Sequence, residues 1–296
     1  MGRISLEQLA AAINVVATLD LQQKEQRIDV IHVRQPHLLA ACLAQSGLGA
    51  DLTAVEMLLQ LLLSSVGISD IVMRNTLIVG AGIGGIAAAI ELQSHGFRDI
   101  TLLERDAGVG GTWRQNTYPG CACDVPSHLY SFSFAQRKDW SRLCSPQDEI
   151  LEYLEGVARD YGVDRRVETG VDVRSCAWDE AARHWTVTAA DGRTWEGDAL
   201  IIATGQLHQP AWPRIEGLDD FEGHAFHSAQ WDHDYDLHGR RVAVIGTGAS
   251  AAQFVPTVVD EAAHVTVFQR TGNWYLPRRN RPYPPLVKRL FQTVPG

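Results

Sequence analysis

Thr76-Leu77-Ile78-Val79-Gly80-Ala81-Gly82-Ile83-Gly84-Gly85 decides the fold. The first four residues read as a parallel strand buried on both faces. The strand runs straight into Gly-x-Gly-x-x-Gly, with Gly80, Gly82 and Gly85 at the fixed positions, and then into an Ala-rich helix ending near Gly96. Ile100 to Leu103 is a second strand, followed by Glu104. Strand, glycine turn, helix, strand and acid come in the order a dinucleotide site needs. The first glycine permits a tight turn and the second lets backbone approach a pyrophosphate. The third allows close helix–strand packing, and the helix N-terminus adds partial positive charge.

The same pattern recurs downstream. Val242-Ala243-Val244-Ile245 leads to Gly246-Thr247-Gly248-Ala249-Ser250, then a helix to about Asp260 and a strand from Val265 to Phe268. The two copies differ at the end of the second strand. Glu104 lies 24 residues after Gly80, and Arg270 lies 24 residues after Gly246. A carboxylate there accepts hydrogen bonds from a free ribose diol and repels a 2′-phosphate, whereas a guanidinium attracts one. The first copy therefore suits the adenosine of FAD or NAD. The second suits NADPH over NADH, with Thr271 as a helper. Two such sites in one chain imply electron transfer between two cofactors.

Outward from these units, the chain divides into four parts. Residues 1–72 read as a helical N-terminal extension. Ser5 with Gln8, and Thr53 with Glu56, have capping-box spacing ahead of apolar stripes. Residues 73–206 form the first nucleotide-binding domain. Within it Ser145-Pro146 opens a helix with Leu151, Leu154, Val157 and Tyr161 near one face. Trp185 to Thr188 alternates, turns at Asp191-Gly192 and returns through Thr194 and Trp195 as a hairpin. Residues 207–241, rich in Pro, His, Trp and Asp, are a linker, and 242–296 are a partial second nucleotide-binding domain. The fold class is α/β: two Rossmann-type dinucleotide-binding domains, the second incomplete, preceded by the helical extension.

Composition sets the outer bounds. The chain has 296 residues, 45% apolar and 21% charged, which is ordinary for a folded protein of about two domains. Lys and Arg number 26 against 35 Asp and Glu, a net charge of −9, which disfavours a nucleic-acid binder. The most apolar window, Val55 to Val66, is interrupted by Glu56 and Gln60 and is too short to span a bilayer. No leader is recognisable, so the expected location is the cytoplasm. Cys121 and Cys123 tempt a redox reading, but only one residue separates them, beside Pro119-Gly120, and flavin disulfide reductases generally use wider spacing, which argues against it. Asp232, His233 and Asp234 are better read as a solvated linker than as metal ligands, and no metal is expected.

Two further stretches carry a resemblance. Gly110-Gly111-Thr112-Trp113, then Tyr118-Pro119-Gly120, then Asp124, resembles the flavin-site signature of type I Baeyer–Villiger monooxygenases. The linker segment from Phe221 through Gly223, His227 and Trp231 to Asp232 fits their FxGxxxHxxxW(P/D) fingerprint at every fixed position. Ala203-Thr204-Gly205 and Gln269-Arg270-Thr271 also fit, and the resemblance covers about residues 75 to 296. The N-terminal extension looks like that of the 4-hydroxyacetophenone monooxygenase branch.

The resemblance implies specific roles. Gly80, Gly82, Gly85 and Glu104 would hold the ADP half of FAD. Gly111, Thr112 and Trp113 would lie along its pyrophosphate and ribityl chain, and Val173 would touch the adenine through its backbone. Asp124 would sit near the isoalloxazine and position an active-site Arg; it is the one residue assigned to catalysis. Trp113 as plain core and Asp124 as a turn cap stand as the plainer alternatives. Gly246, Gly248, Ser250, Arg270 and Thr271 would bind NADPH. His227 would couple domain movement to catalysis. The implied reaction inserts one oxygen atom of O2 into a ketone, giving an ester or lactone through a C4a-peroxyflavin. Alternatives are N- or S-oxygenation by a related flavoprotein, or a non-catalytic FAD-binding protein. The family's catalytic Arg has no assignable place here, because Arg278, Arg279 and Arg281 come too early. The expectation is an N-terminal piece of a longer monooxygenase, with impaired activity alone and a homodimer formed through the N-terminal helices.

Overall fold

The computed structural model describes residues 75–293 apart from 277 and 279, together with the strand Ala40–Cys42. Both capping boxes and the apolar stripes of the expected N-terminal helices lie outside the described residues.

A parallel sheet forms around β2 (Thr76–Val79). Its neighbours are β3 (Ile100–Leu103) and β8 (Ala199–Ile202), and β4 (Val167–Glu168) and β1 (Ala40–Cys42) lie at the edges, in the order β1-β8-β2-β3-β4. Every pairing is parallel, and Val79 sits level with Leu103 on one side and Ile202 on the other. Here the structure corrects the expectation of helix across residues 1–72: Ala40–Cys42 is a strand, paired in parallel with β8 in register with Leu200, Ile201 and Ile202. It satisfies backbone groups on the far edge of β8 that local periodicity cannot reveal.

Strand side chains alternate between two apolar layers. Ile78, Leu102 and Ile201 face a helical layer built from α1 (Ile83–Ser94) and α3 (Gln147–Asp160). Leu77, Val79, Leu103 and Leu200 face Trp185, Val187 and Ala189 of a three-stranded antiparallel sheet. That sheet comprises β5 (Val173–Asp179), β6 (His184–Ala189) and β7 (Thr194–Gly197). The expected hairpin is its β6–β7 half, with Gly192 at φ 86 in the turn. The helix expected after Pro146 is α3, but its stripe is rotated. Ile150, Tyr153, Leu154, Val157 and Ala158 are buried, whereas Leu151 is only partly covered and Tyr161 is exposed past the helix end. The deep core around Phe132 and Trp140 pulls in the 150–153–157 face, and Tyr153 packs on both rings.

The second unit is smaller. β9 (Arg241–Ile245) and β10 (His264–Phe268) pair in parallel and are joined by α4 (Ala249–Glu261). Ala251, Phe254 and Val258 bury one face of α4 together with Val244. Among the described residues this sheet has two strands, and Ile245 and Phe268 are about half exposed. The chain then returns to the first unit. Asn280 pairs through its side-chain amide with both backbone groups of Cys144, and Tyr283 N–H donates to the Ser141 carbonyl at 2.9 Å. A last helix, α5 (Pro285–Thr293), sets Phe291 against His128. No helix among the described residues is long and apolar enough to cross a membrane.

Candidate functional site

At the first glycine turn each glycine has a measurable reason. Gly80 has φ 99, and a Cβ there would lie 2.5 Å from the Ala203 carbonyl oxygen at the end of β8. A Cβ on Gly85 would lie 2.0 Å from the Gly80 oxygen, so the helix seats directly on the turn. Gly82 is the N-cap of α1 and makes no side-chain cap; no acid stands in the first helical turn. The free N–H groups and dipole of α1 therefore face open to an anion. Glu104, 6% exposed, reaches back across the turn. One carboxylate oxygen accepts from Ala81 N–H at 2.6 Å and the other from Asp106 N–H at 2.8 Å.

The second stretch forms a wall against this turn. Gly110 N–H donates to the Ala81 carbonyl at 3.0 Å, and a Cβ on Gly111 would lie 3.0 Å from the Gly82 Cα. Gly111 (φ 53) opens a single helical turn, α2 (Thr112–Gln115). Thr112 is exposed beside the turn, whereas Trp113 points into the core, where its indole N–H donates to the Tyr130 hydroxyl at 3.0 Å. Val171 N–H donates to the Glu104 carbonyl, which brings the start of β5 at Val173 alongside the acid. Two glycine-walled backbones, an uncapped helix end and a carboxylate at the rim fit the ADP half of a flavin dinucleotide.

Beyond this wall the chain runs through Tyr118, Gly120 and Cys121 to Asp124. Asp124 is exposed and its carboxylate accepts no hydrogen bond from the described residues, so it does not cap the turn before Pro126. Its neighbour Cys123 is fixed by an N–H bond to the Ser145 carbonyl and by Arg278, whose guanidinium donates to the Cys123 carbonyl at 2.5 Å. Burial pushes the Cys121 thiol up and the Cys123 thiol up to about 11; both are free thiols. Burial likewise pushes the Tyr118 phenol up to about 12, opposed in part by the Ser250 side chain.

The second cradle repeats the plan. Gly246 has φ 107 and its N–H donates to the Phe268 carbonyl at 2.9 Å. Gly248 is the N-cap of α4, again without a side-chain cap or an acid in the first turn. Arg270 is exposed just past β10, and its side chain has no hydrogen-bond or ion-pair partner among the described residues. Thr271 lies beside it, its carbonyl facing the Thr247 hydroxyl. An uncapped helix with an unpaired guanidinium at the rim fits a dinucleotide bearing an extra phosphate. Ala251, unremarked at the sequence level, is the buried third position of Gly246-x-Gly248-x-x-Ala251 and takes the place that Gly85 has in the first turn. That spacing could have found it.

The linker fingerprint is mostly structural joinery. Trp231 packs edge-on against Phe226 at 5.1 Å and tilted on Phe254 of α4 at 5.2 Å. Asp232 accepts from the His224 Nε2 at 2.8 Å and from Asp234 N–H at 3.0 Å. His227 Nδ1 accepts from Ala229 N–H and so caps a short 3-10 turn, Ser228–Gln230. Phe221 is exposed and folds over Gly223, where a Cβ would meet its ring at 2.4 Å.

Two glycine cradles on parallel strands, one with a buried acid and one with an exposed arginine at the rim, define a double dinucleotide-binding α/β protein. The chain belongs to the pyridine nucleotide-disulphide oxidoreductase family, whose profile matches residues 77–289. A Baeyer-Villiger monooxygenase of Streptomyces coelicolor is 48% identical over 219 residues, covering 74% of this chain and 42% of that protein. The NADP+-bound crystal structure of cyclohexanone monooxygenase from Rhodococcus sp. Phi1 superposes with a TM-score of 0.68 at 35% identity, covering 74% of this chain and 42% of that one. The OTEMO complex with FAD and NADP superposes equally well, 0.68 at 32% identity, over 74% of this chain and 44% of that one. The chain thus spans about two fifths of the length of the curated relatives it matches.

Proposed function

We propose that these residues form the cofactor-binding part of a Baeyer–Villiger-type monooxygenase, which uses FAD and NADPH to insert one oxygen atom of O2 into a ketone. Overall, ketone, O2, NADPH and a proton become ester or lactone, NADP+ and water. The observation that carries the reading is the contrast between the two cradles: Glu104 buried at the first rim, and Arg270 exposed and without a partner among the described residues at the second. The monooxygenase relatives, and the FAD and NADP in the superposed OTEMO complex, support the same assignment.

When bound, FAD supplies the redox chemistry, taking hydride from NADPH and activating dioxygen for the attack on a carbonyl. The chain's residues bind and orient. Gly80, Gly82 and the N-terminus of α1 receive the FAD pyrophosphate, with Gly85 seating the helix. Glu104 accepts from the ribose hydroxyls and excludes a 2′-phosphate. Gly111, Thr112 and the backbone of Trp113 line the far wall, which the Trp113 ring anchors in the core, and Val173 offers backbone to the adenine. Gly246, Gly248, Ser250 and the N-terminus of α4 receive the NADPH pyrophosphate. Arg270, helped by Thr271, pairs with its 2′-phosphate. Asp124, exposed and without a bond to the described residues, is free to accept from a cation and hold it at the reacting centre. The Phe221–Asp232 segment, with His227 as its turn cap, joins the two units.

The test is product analysis of the purified protein carrying FAD, given NADPH and O2 with a cyclic ketone or with a dialkyl sulfide. Lactone from the ketone, matched to NADPH consumed, supports the proposal. Sulfoxide without lactone points to the S-oxygenating relative, and NADPH oxidation without any oxygenated product contradicts both.

A further inference from the structure

The backbone from Cys121 to Cys123 behaves as a strand with one partner missing. On one side the Cys121 carbonyl accepts from Gln147 N–H at 2.9 Å, and Cys123 N–H donates to Ser145 O at 3.0 Å. Alternation therefore turns both polar groups of Ala122 to the other side, and unpaired backbone groups there are costly. The Gln253 side chain from α4 fills that place. Its Oε1 accepts from Ala122 N–H at 3.2 Å, and its Nε2 donates to the Ala122 carbonyl at 2.9 Å. The same Oε1 accepts from the Tyr118 hydroxyl at 3.1 Å. A side-chain amide is the one neutral group that offers donor and acceptor in a plane as a peptide does.

The approach is made close on purpose by Gly120. Its φ is 77, and a Cβ there would lie 2.7 Å from the Gln253 carbonyl oxygen. Loop backbone thus lies directly on α4 backbone. Tyr118 also packs edge-on against Phe254, whose other neighbour is Trp231 of the linker. One residue of the second unit therefore sets the register of the loop that ends at Asp124.

We propose that Gln253 is a positioning residue that couples the two cradles: a dinucleotide seated at the N-terminus of α4 holds the Tyr118–Asp124 loop in place through the Ala122 pair. The coupling rests on the reading of α4 as the NADPH helix; the clamp itself does not.

Hydrogen–deuterium exchange of the protein, free and with NADP+, tests both parts. Losing this half-buried hydrogen-bond pair should speed exchange of the 118–124 peptide about tenfold in Gln253→Leu, with core peptides of the first unit unchanged. In the unaltered protein NADP+ should slow that peptide, and in Gln253→Leu it should not, although NADP+ still binds. If Gln253→Leu does not fold, Gln253→Glu keeps the shape while setting an acceptor against the Ala122 carbonyl, and the same acceleration is expected. Equal exchange of the 118–124 peptide in the unaltered protein and in a folded variant overturns the clamp. NADP+ that binds but slows the loop equally in both overturns the coupling. NADP+ that fails to bind the unaltered protein overturns the NADPH reading and the coupling, and leaves the comparison in the free protein to decide the clamp.

Discussion

The Glu104 carboxylate and the Ala81 backbone N–H, 23 residues apart in the chain, meet at 2.6 Å across the first glycine turn. With the second oxygen on Asp106 N–H, the acid accepts two backbone hydrogen bonds in a buried setting. These two bonds lock the end of β3 to the end of β2. In Glu104→Gln an amide NH2 must face one of these N–H donors. The expected cost is about 1–3 kcal/mol, from a buried donor left unsatisfied. Thermal melts should show a lower Tm, and titration with FAD should show weaker binding. Unchanged melting and affinity would mean that the carboxylate charge is not used.

Gly85 and Gly156 make a contrasting pair. A Cβ on Gly85 would collide with the Gly80 carbonyl at 2.0 Å, and backbone cannot step aside cheaply. Gly85→Ala should destabilise by about 1–3 kcal/mol and open the turn. Gly156, inside α3, has nothing within 4 Å of a built Cβ. Gly156→Ala should stabilise by about 0.5–1 kcal/mol through helix propensity alone. Urea unfolding of the two variants should move in opposite directions.

The thiols of Cys121 and Cys123 differ from a reactive pair in sign. Burial favours the neutral form, so both are held above the ordinary thiol range, Cys123 at about 11. Little thiolate exists near neutral pH, and alkylation should be slow, rising only under alkaline conditions toward that value. Iodoacetamide labelling of the native protein at pH 8, read by peptide mass spectrometry, should leave both largely unmodified, and unfolding should expose them. Rapid labelling, or a Cys121–Cys123 disulfide that forms with flavin turnover, would support the redox role that their spacing argues against.

Much of this was legible in the residues. Each β-α-β unit is local, so the strand runs, glycine turns and closing Glu104 or Arg270 appear within about thirty residues, where a periodic pattern can be read. What was not legible depends on distant neighbours. The α3 stripe turned by one position because Phe132 and Trp140 compete for it. Ala40–Cys42 became strand because β8 offered an open edge. β5 went unread because none of its residues is fully buried and its half-buried positions follow no strict alternation. Gln253 gave no local sign at all; its partners lie 131 and 135 residues away. Asp124 was visible only through the flavin signature, and the structure adds that its carboxylate makes no bond to the described residues.

The division of labour between the two cradles is tested most directly by anaerobic reduction of the FAD-loaded protein, followed by loss of flavin absorbance. NADPH should bleach the flavin at far lower concentration than NADH. Arg270→Ala should raise the NADPH requirement about tenfold to a hundredfold, as expected for a lost charged hydrogen bond, and leave the NADH requirement alone. Failure to take up FAD, or equal bleaching by both nucleotides with no effect of Arg270→Ala, would contradict the account.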